Sequence, residues 1–362
     1  MKTILYRTVC ILLMIPSMMM ANHDKWKGKY TKEKKIKKEF NVNADALLKL
    51  NNSYGNLYLT SWDQNKVVIE VHVKTNGNNE EKVQKKLDEI DVQFEGSSQM
   101  VYAKTIFNKN KKSSWWKWSD SNSVHMEINY TVKVPITNNV DLNNDYGSIS
   151  LDRLQGRADI SCDYGKIDIG ELLANDNKLS FDYTSGSSIS YMKNGKINAD
   201  YSGFTLEKAE NLVISADYTN SKIGQAKSLT YSCDYGNITI DEIDNLKGSG
   251  DYITTRIGKV HGNVDISSDY GSIKIEEMAS DAGNVDIRSD YTGIRIGYAT
   301  DYYFDFEVRL DYAGFKGKDD LQFKIKRVDG SDKYYTGYHG RENSGNRMTI
   351  TADYGSITLN KN

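Results

Sequence analysis

Proline is almost absent: the 362-residue chain holds 2, and only Pro135 lies beyond the first 21 residues. Proline has no backbone N–H to donate, so its scarcity suits a fold built on backbone ladders. Cysteine numbers 3, and two of these, Cys162 and Cys233, follow residue 21. Histidine numbers 5, and His23, His72, His125, His261 and His339 are scattered without metal-site spacing. After residue 21 no apolar run is long enough for a membrane-crossing helix. Neither sign of charge dominates: 47 Lys and Arg against 49 Asp and Glu leave −2, so bulk electrostatics does not call for nucleic acid.

What is present begins with an export signal. Lys2 and Arg7 precede an apolar run from Val9 to Met20 that is short and broken by Pro16. Residues 1–21 are expected to be a signal peptide cleaved after Ala21, in preference to lipid attachment at Cys10, which lacks small-residue lipoprotein context. The mature chain is expected outside the cytoplasm, in the periplasm or at the cell surface, with no transmembrane segment.

The dominant feature is a repeated Asp-Tyr pair. The aspartates are Asp145, Asp163, Asp182, Asp200, Asp217, Asp234, Asp251, Asp269, Asp290, Asp311 and Asp353. Successive steps are 17–21 residues except the last, which is 42 and reads as two steps of 21. Such a period predicts an all-β chain wound as a β-solenoid, or β-helix, of about 17–21 residues per turn.

Alignment on the Asp separates two faces. Three residues upstream stand Leu142, Ile160, Leu179, Ile197, Ile214, Tyr231, Gly248 and Ile266, apolar or aromatic except for Gly248. Two residues upstream stand Asn143, Ser161, Ser180, Asn198 and Ser215, all polar. Side chains alternate along a strand, so the first column points inward and the second outward. Apolar doublets such as Ile167/Ile169 and Ile273/Ile275 follow the corner with shifted parity. Asp-Tyr-Gly reads as the corner between two strands, the Gly supplying the permissive backbone. Cys162 and Cys233 fall in one inward column four turns apart, about 19 Å at strand spacing against the roughly 4.4–6.8 Å a disulfide spans. They are expected to be small core residues.

The chain divides into residues 1–21, a Lys-rich solvated arm at 22–39, a β-rich part at 40–140 and the Asp-Tyr repeat at 141–362. In the third part, Leu57–Leu59 and Val67–Val73 read as a strand pair. Val83, Leu87 and Ile90 are spaced as on a short helix over 80–90. Ser53-Tyr54-Gly55 imitates the corner, so this part is expected to open the same coil around a helical excursion.

Candidate ligand-binding residues are Trp115, Trp116 and Trp118, clustered after several lysines, and Tyr334, Tyr335 and Tyr338 in a late excursion. Clustered aromatics form either a cap on the core or a contact patch. The Tyr column reads as a structural aromatic ladder or as a platform for glycans and other flat ligands. The Asp column needs compensation for like charge. One source is a hydrogen bond from a backbone N–H of the same turn. The other is a Ca²⁺ ladder over Asp163, Asp182, Asp200, Asp217, Asp234, Asp251 and Asp269. The β-roll calcium motif is absent, so no cofactor is expected.

Tyr54-Gly55-Asn56-Leu57-Tyr58-Leu59, Trp62-Asp63, the short helix, and Tyr130 to Pro135 leading into Asp145-Tyr146-Gly147-Ser148-Ile149 resemble the exported bacterial "putative adhesin" family. That family is related to auto-transporter adhesin head-type β-solenoids. The resemblance runs from about residue 40 to the C-terminus. It implies a β-solenoid, an extracytoplasmic location and no catalytic motif. The expected function is a non-enzymatic exported binding or scaffold protein, with a glycan or a surface protein as partner. The alternatives are a polysaccharide-acting β-helix enzyme, which needs acids that break the periodic pattern, and an envelope signalling or stress accessory.

Overall fold

The computed structural model describes residues 26–108, 124–317 and 319–362. Among them the chain is all-β apart from one helix, Glu80–Glu89, and its 27 strands join in a single sheet. The helix forms where the apolar spacing places it, with Asn79 capping the Lys82 N–H and Val83 and Leu87 buried.

Strands upstream of each corner pair in parallel with the same strand of the adjacent repeat. The inward column runs Leu142, Ile160, Leu179, Ile197, Ile214, Tyr231, Gly248, Ile266 and Ile287 in direct register. Downstream strands do the same through Leu151, Ile169, Ile189, Leu206, Ile223, Ile240, Ile257, Ile275 and Ile296. These columns are buried and form one continuous core. One repeat alone could not cover its apolar face, whereas stacked repeats cover each other. Gly248 breaks the column for a steric reason. The Tyr231 ring fills its space, since a Cβ there would meet Tyr231 Cζ at 2.1 Å. The buried Tyr231 hydroxyl lies 3.1 Å from Thr255 Oγ1. Cys162 and Cys233 are free and buried, and burial pushes both thiols up to about 12.

Repeat order in space departs from chain order at both ends. The Tyr354 repeat does not follow the Tyr312 repeat. Ile350 pairs with Ile287 on one side and Val308 on the other, so the last repeat lies between its two predecessors. The step of 42 is therefore not two successive steps along the stack. At the other end the Tyr54 repeat is likewise internal, with Leu50 between Leu142 and Ala103 and Leu59 between Leu151 and Val132. The expected pairing of the strands Leu57–Trp62 and Lys66–Gly77 is replaced: His125–Pro135 lies between them, parallel to the first and antiparallel to the second.

Antiparallel strands cover both ends. Ile90–Gly96 pairs with Met100–Phe107, and Tyr30–Asn41 pairs with Lys66–Gly77. At the far end Asp332–His339 covers Phe304–Asp311, and Gln322–Asp329 covers that strand in turn. The Lys-rich stretch expected as a solvated arm is thus, from Tyr30, an ordered strand. Lysines on this strand, and Lys324, Lys326 and Arg327 on the opposite cover strand, oppose edge-to-edge association.

Candidate functional site: the tyrosine and aspartate corner

Each corner tyrosine adopts the left-handed backbone conformation. Tyr54, Tyr146, Tyr164, Tyr183, Tyr201, Tyr218, Tyr235, Tyr252, Tyr270, Tyr291, Tyr312 and Tyr354 all have φ between 48 and 64°. The corner glycines do not, which corrects the expectation that Gly provides the permissive backbone. Gly is needed for close approach instead: a Cβ on Gly147 would lie 1.9 Å from Gly55 O. Where Thr replaces Gly, its hydroxyl turns inward, as Thr219 Oγ1 does at 2.9 Å from both Ala199 O and Asp217 O.

A bulky residue in this region costs about 1–2 kcal/mol. Two ladders offset the cost. The first is a stack of rings. Tyr54, Tyr146 and the later corner tyrosines continue without a gap through Tyr291, Tyr354 and Tyr312, at centroid separations of 4.7–5.2 Å and interplanar angles of 2–8°. Each such contact contributes about 0.5–1.5 kcal/mol. The second ladder runs through aspartate. The N–H groups of Asp200, Asp217, Asp234 and Asp251 donate to Oδ1 of the preceding Asp182, Asp200, Asp217 and Asp234 at 3.1, 3.0, 3.0 and 2.7 Å. In the opposite direction the Tyr183 N–H donates to Asp200 O at 3.1 Å, a pattern repeated at the other corners. From Asp163 to Asp269 the partner of the carboxylate is thus the neighbouring repeat, not the same one as expected. An Asp needs a neighbour to be satisfied, and this couples local corner chemistry to stacking.

The corner tyrosines from Tyr146 onward are about half-exposed, from 47 % at Tyr235 to 64 % at Tyr312. Adjacent rings leave no room for a sugar or a third ring between them. Interior rings therefore offer edges and hydroxyls to solvent, and the outer face of Tyr312 is the free end of the stack.

The aspartate ladder has a direct test. Asp217→Ala is expected to cost about 1 kcal/mol, since the Asp234 N–H loses its acceptor. Asp217→Asn should be near neutral, because the amide oxygen keeps the bond while one like charge is removed. Urea unfolding midpoints with Ca²⁺ and with EDTA check this. A calcium-bridged column would instead lose as much from Asn as from Ala and shift with EDTA.

Partial burial, then neighbouring tyrosines and aspartates, push the phenols of Tyr164, Tyr235, Tyr270 and Tyr354 above their ordinary value. The protonated phenol is thus favoured more in the folded chain than in the unfolded chain. Stability from this source is complete below about pH 10 and is lost as pH rises through the folded values. Tyrosinate absorbance should rise at higher pH in the folded protein than in urea. Coincident curves would show the stack to be electrostatically inert.

The other candidates separate. Trp115, Trp116 and Trp118 lie outside the described residues. Tyr334, Tyr335 and Tyr338 share the strand Asp332–His339, but alternation sends them to opposite faces. Tyr335 is buried against Phe315 and Phe323. Tyr334 is half-buried, with Arg309 and Arg327 at 5.7 and 5.4 Å from its ring, and Lys324 lies 5.9 Å from the Tyr338 ring. Among the described residues no group of three or more His, Cys, Asp or Glu could hold a metal ion. No helix there is long and apolar enough to cross a membrane.

No family model matches the chain. No curated protein matches it in sequence. Solved structures do show likeness. A "putative adhesin" from Parabacteroides merdae is 10 % identical over 90 % of this chain and 96 % of its own, with a TM-score of 0.36. A "putative adhesin" from Parabacteroides distasonis is 13 % identical over 73 % and 93 %, with a TM-score of 0.30. A "putative lipid binding protein" from the same species is 12 % identical over 90 % and 96 %, with a TM-score of 0.31. Likeness at this level decides neither the fold nor the function of this chain.

Proposed function

We propose that the chain winds as a β-solenoid and serves as a non-enzymatic, exported binding or scaffold protein that presents a repetitive surface. The observation that carries this reading is the row of half-exposed tyrosines, every one held in a strained backbone conformation. Strain concentrated at an exposed and regular site supports a functional surface. The parallel register between repeats 17–21 residues apart supports the winding. The partner is a glycan or a surface protein, no cofactor takes part, and the leader at residues 1–21 directs the chain to the periplasm or cell surface.

The enzyme alternative would need a cluster of acids in a groove. A groove of about 730 Å³ is lined by Glu171, Glu207, Glu210, Glu242 and Asp244, with the Tyr191 hydroxyl 3.1 Å from Glu210. The test is to pass a panel of neutral and acidic glycans and of cell-surface proteins over the immobilised mature protein and to measure the chain length of the glycans afterwards. Retention at unchanged length is expected. Depolymerisation would establish an enzyme, and failure to retain any glycan or surface protein would overturn the binding reading.

A further inference from the structure

The face downstream of the tyrosine corner carries a second column that the periodicity hides. Between the two inward apolar residues of each repeat lies one outward position. Along the stack it is occupied by Lys222, Thr239, Arg256, Lys274, Arg295, Thr358 and Lys316, in direct register. Arg256, Lys274 and Arg295 are consecutive and exposed. Like charges directly opposite one another on neighbouring strands repel. Lys274 pairs with Glu276 of its own strand. Among the described residues, Arg256 and Arg295 have neither an ion pair nor a hydrogen bond.

Beside this column lies a shallow groove of about 260 Å³, lined by Arg256, Ser272, Lys274, Gly293, Arg295 and Ser356. Its floor is low because the outward position two residues upstream is small. A Cβ on Gly293 or Gly314 would meet nothing within 4 Å. The corner tyrosines Tyr270, Tyr291, Tyr354 and Tyr312 stand immediately upstream in the chain, half-exposed, with hydroxyls able to donate or accept.

We propose that this groove binds a linear acidic polysaccharide laid along the stack, its carboxylates meeting Arg256 and Arg295 with Lys274 between them. The inference rests on the binding reading above and narrows it to one ligand class. Parallel strands place these cations about 4.8 Å apart. An extended polyuronate carries one carboxylate per sugar and advances by a similar distance per sugar, and because successive sugars turn over, the carboxylates on one edge recur every second sugar, in step with Arg256 and Arg295 two strands apart. Guanidinium forks bind carboxylates bidentately, while the hydroxyls of Ser272 and Ser356 suit sugar hydroxyls.

Two other polyanions fit less well. Single-stranded nucleic acid is held by aromatic faces on which bases stack, and here neighbouring tyrosines occupy those faces. The acids Asp241 and Glu276, on strands of the same column, also oppose a denser polyanion. An anionic membrane would favour exposed apolar anchors beside the cations, and the outward positions of this groove are Arg, Lys, Ser and Gly.

The test measures binding of sodium alginate, neutral dextran, oligothymidylate and phosphatidylglycerol vesicles to the mature protein by biolayer interferometry across a salt series. The groove variant is Arg256→Gln/Lys274→Gln/Arg295→Gln. The control, Lys178→Gln/Lys196→Gln/Lys247→Gln, removes the same charge from strands upstream of the corner. Alginate should bind the native protein, weaken about tenfold or more in the groove variant with a shallower salt dependence, and change little in the control. Thermal unfolding of the groove variant should be unchanged or higher, since repulsion is relieved. Equal loss in both variants would reduce the effect to net charge and overturn the site. Tighter binding of oligothymidylate or vesicles would replace the proposed occupant. Retention of dextran or another neutral glycan with no alginate binding would overturn this inference but leave the binding reading standing. No retention of any glycan or surface protein would sink both. Should the groove variant fail to fold, Arg295→Gln alone carries the same comparison.

Discussion

Deleting residues 347–362 is expected to unravel several repeats at the C-terminal end, not to fray the last one. In a simple stack the terminal repeat has one neighbour, and its loss costs one interface. Here the deleted repeat lies between the Tyr291 and Tyr312 repeats and pairs with both. Its Met348, Ile350, Ile357 and Leu359 are each 0–1 % exposed. Burial of such side chains stabilises by about 1.5–3 kcal/mol each, so the loss is comparable with the whole stability of a typical domain. The stack of rings breaks between Tyr291 and Tyr312, and the Tyr291 N–H loses Asp353 O at 2.9 Å. Hydrogen exchange should show protection lost from about residue 285 onward while the Tyr164 to Tyr252 repeats stay protected. A peptide of residues 347–362 added in trans should restore protection by entering the vacated slot. A truncated protein that keeps its protection over 285–316 would show the insertion to be dispensable.

The second large effect concerns Gly248. The repeat asks for Ile at this position, yet Gly248→Ile is expected to destabilise by at least about 3 kcal/mol, at the upper end of overpacking penalties. The new Cβ would stand 2.1 Å from Cζ of Tyr231, a ring held on all sides. Tyr231→Val alone opens a cavity and should cost roughly 3 kcal/mol. Combined, the two changes restore the pattern of the other repeats, so the double variant should recover most of the sum. Urea unfolding of the four proteins gives the coupling. An additive result would mean that the two residues do not share one space.

Much of the architecture was legible before the fold. Strand positions, the alternation that separates Ile160 from Ser161, the helix over Val83 and Leu87, and the inward Cys162 and Cys233 all follow from side-chain period and burial. These are local properties, decided within a few residues by which face each side chain takes. The corner too could be located, from Asp-Tyr and the small residue after it. Its workings could not be read in the same way. That Tyr takes the left-handed backbone runs against residue preference. It holds because the flanking rings and the aspartate of the adjacent repeat stabilise it, and those partners lie 17–21 residues away in the middle of the stack and further at its ends. The cation column Arg256, Lys274 and Arg295 was visible as residues between paired isoleucines, but its meaning depends on register between repeats.

By itself the sequence determined an all-β repeating chain, its inward and outward faces and its corner positions. Tertiary structure alone decided which repeat lies beside which. Strands of a repeat are nearly equivalent chemically, so pattern and period allow any one to pair with any other. The choice is made by the excursions that cover both ends, Ile90–Gly96 with Tyr30–Asn41 and Gln322–Asp329 with Asp332–His339. By taking the outer positions as antiparallel strands, they leave the repeats of the first and last corners, Tyr54 and Tyr354, flanked on both sides within the stack.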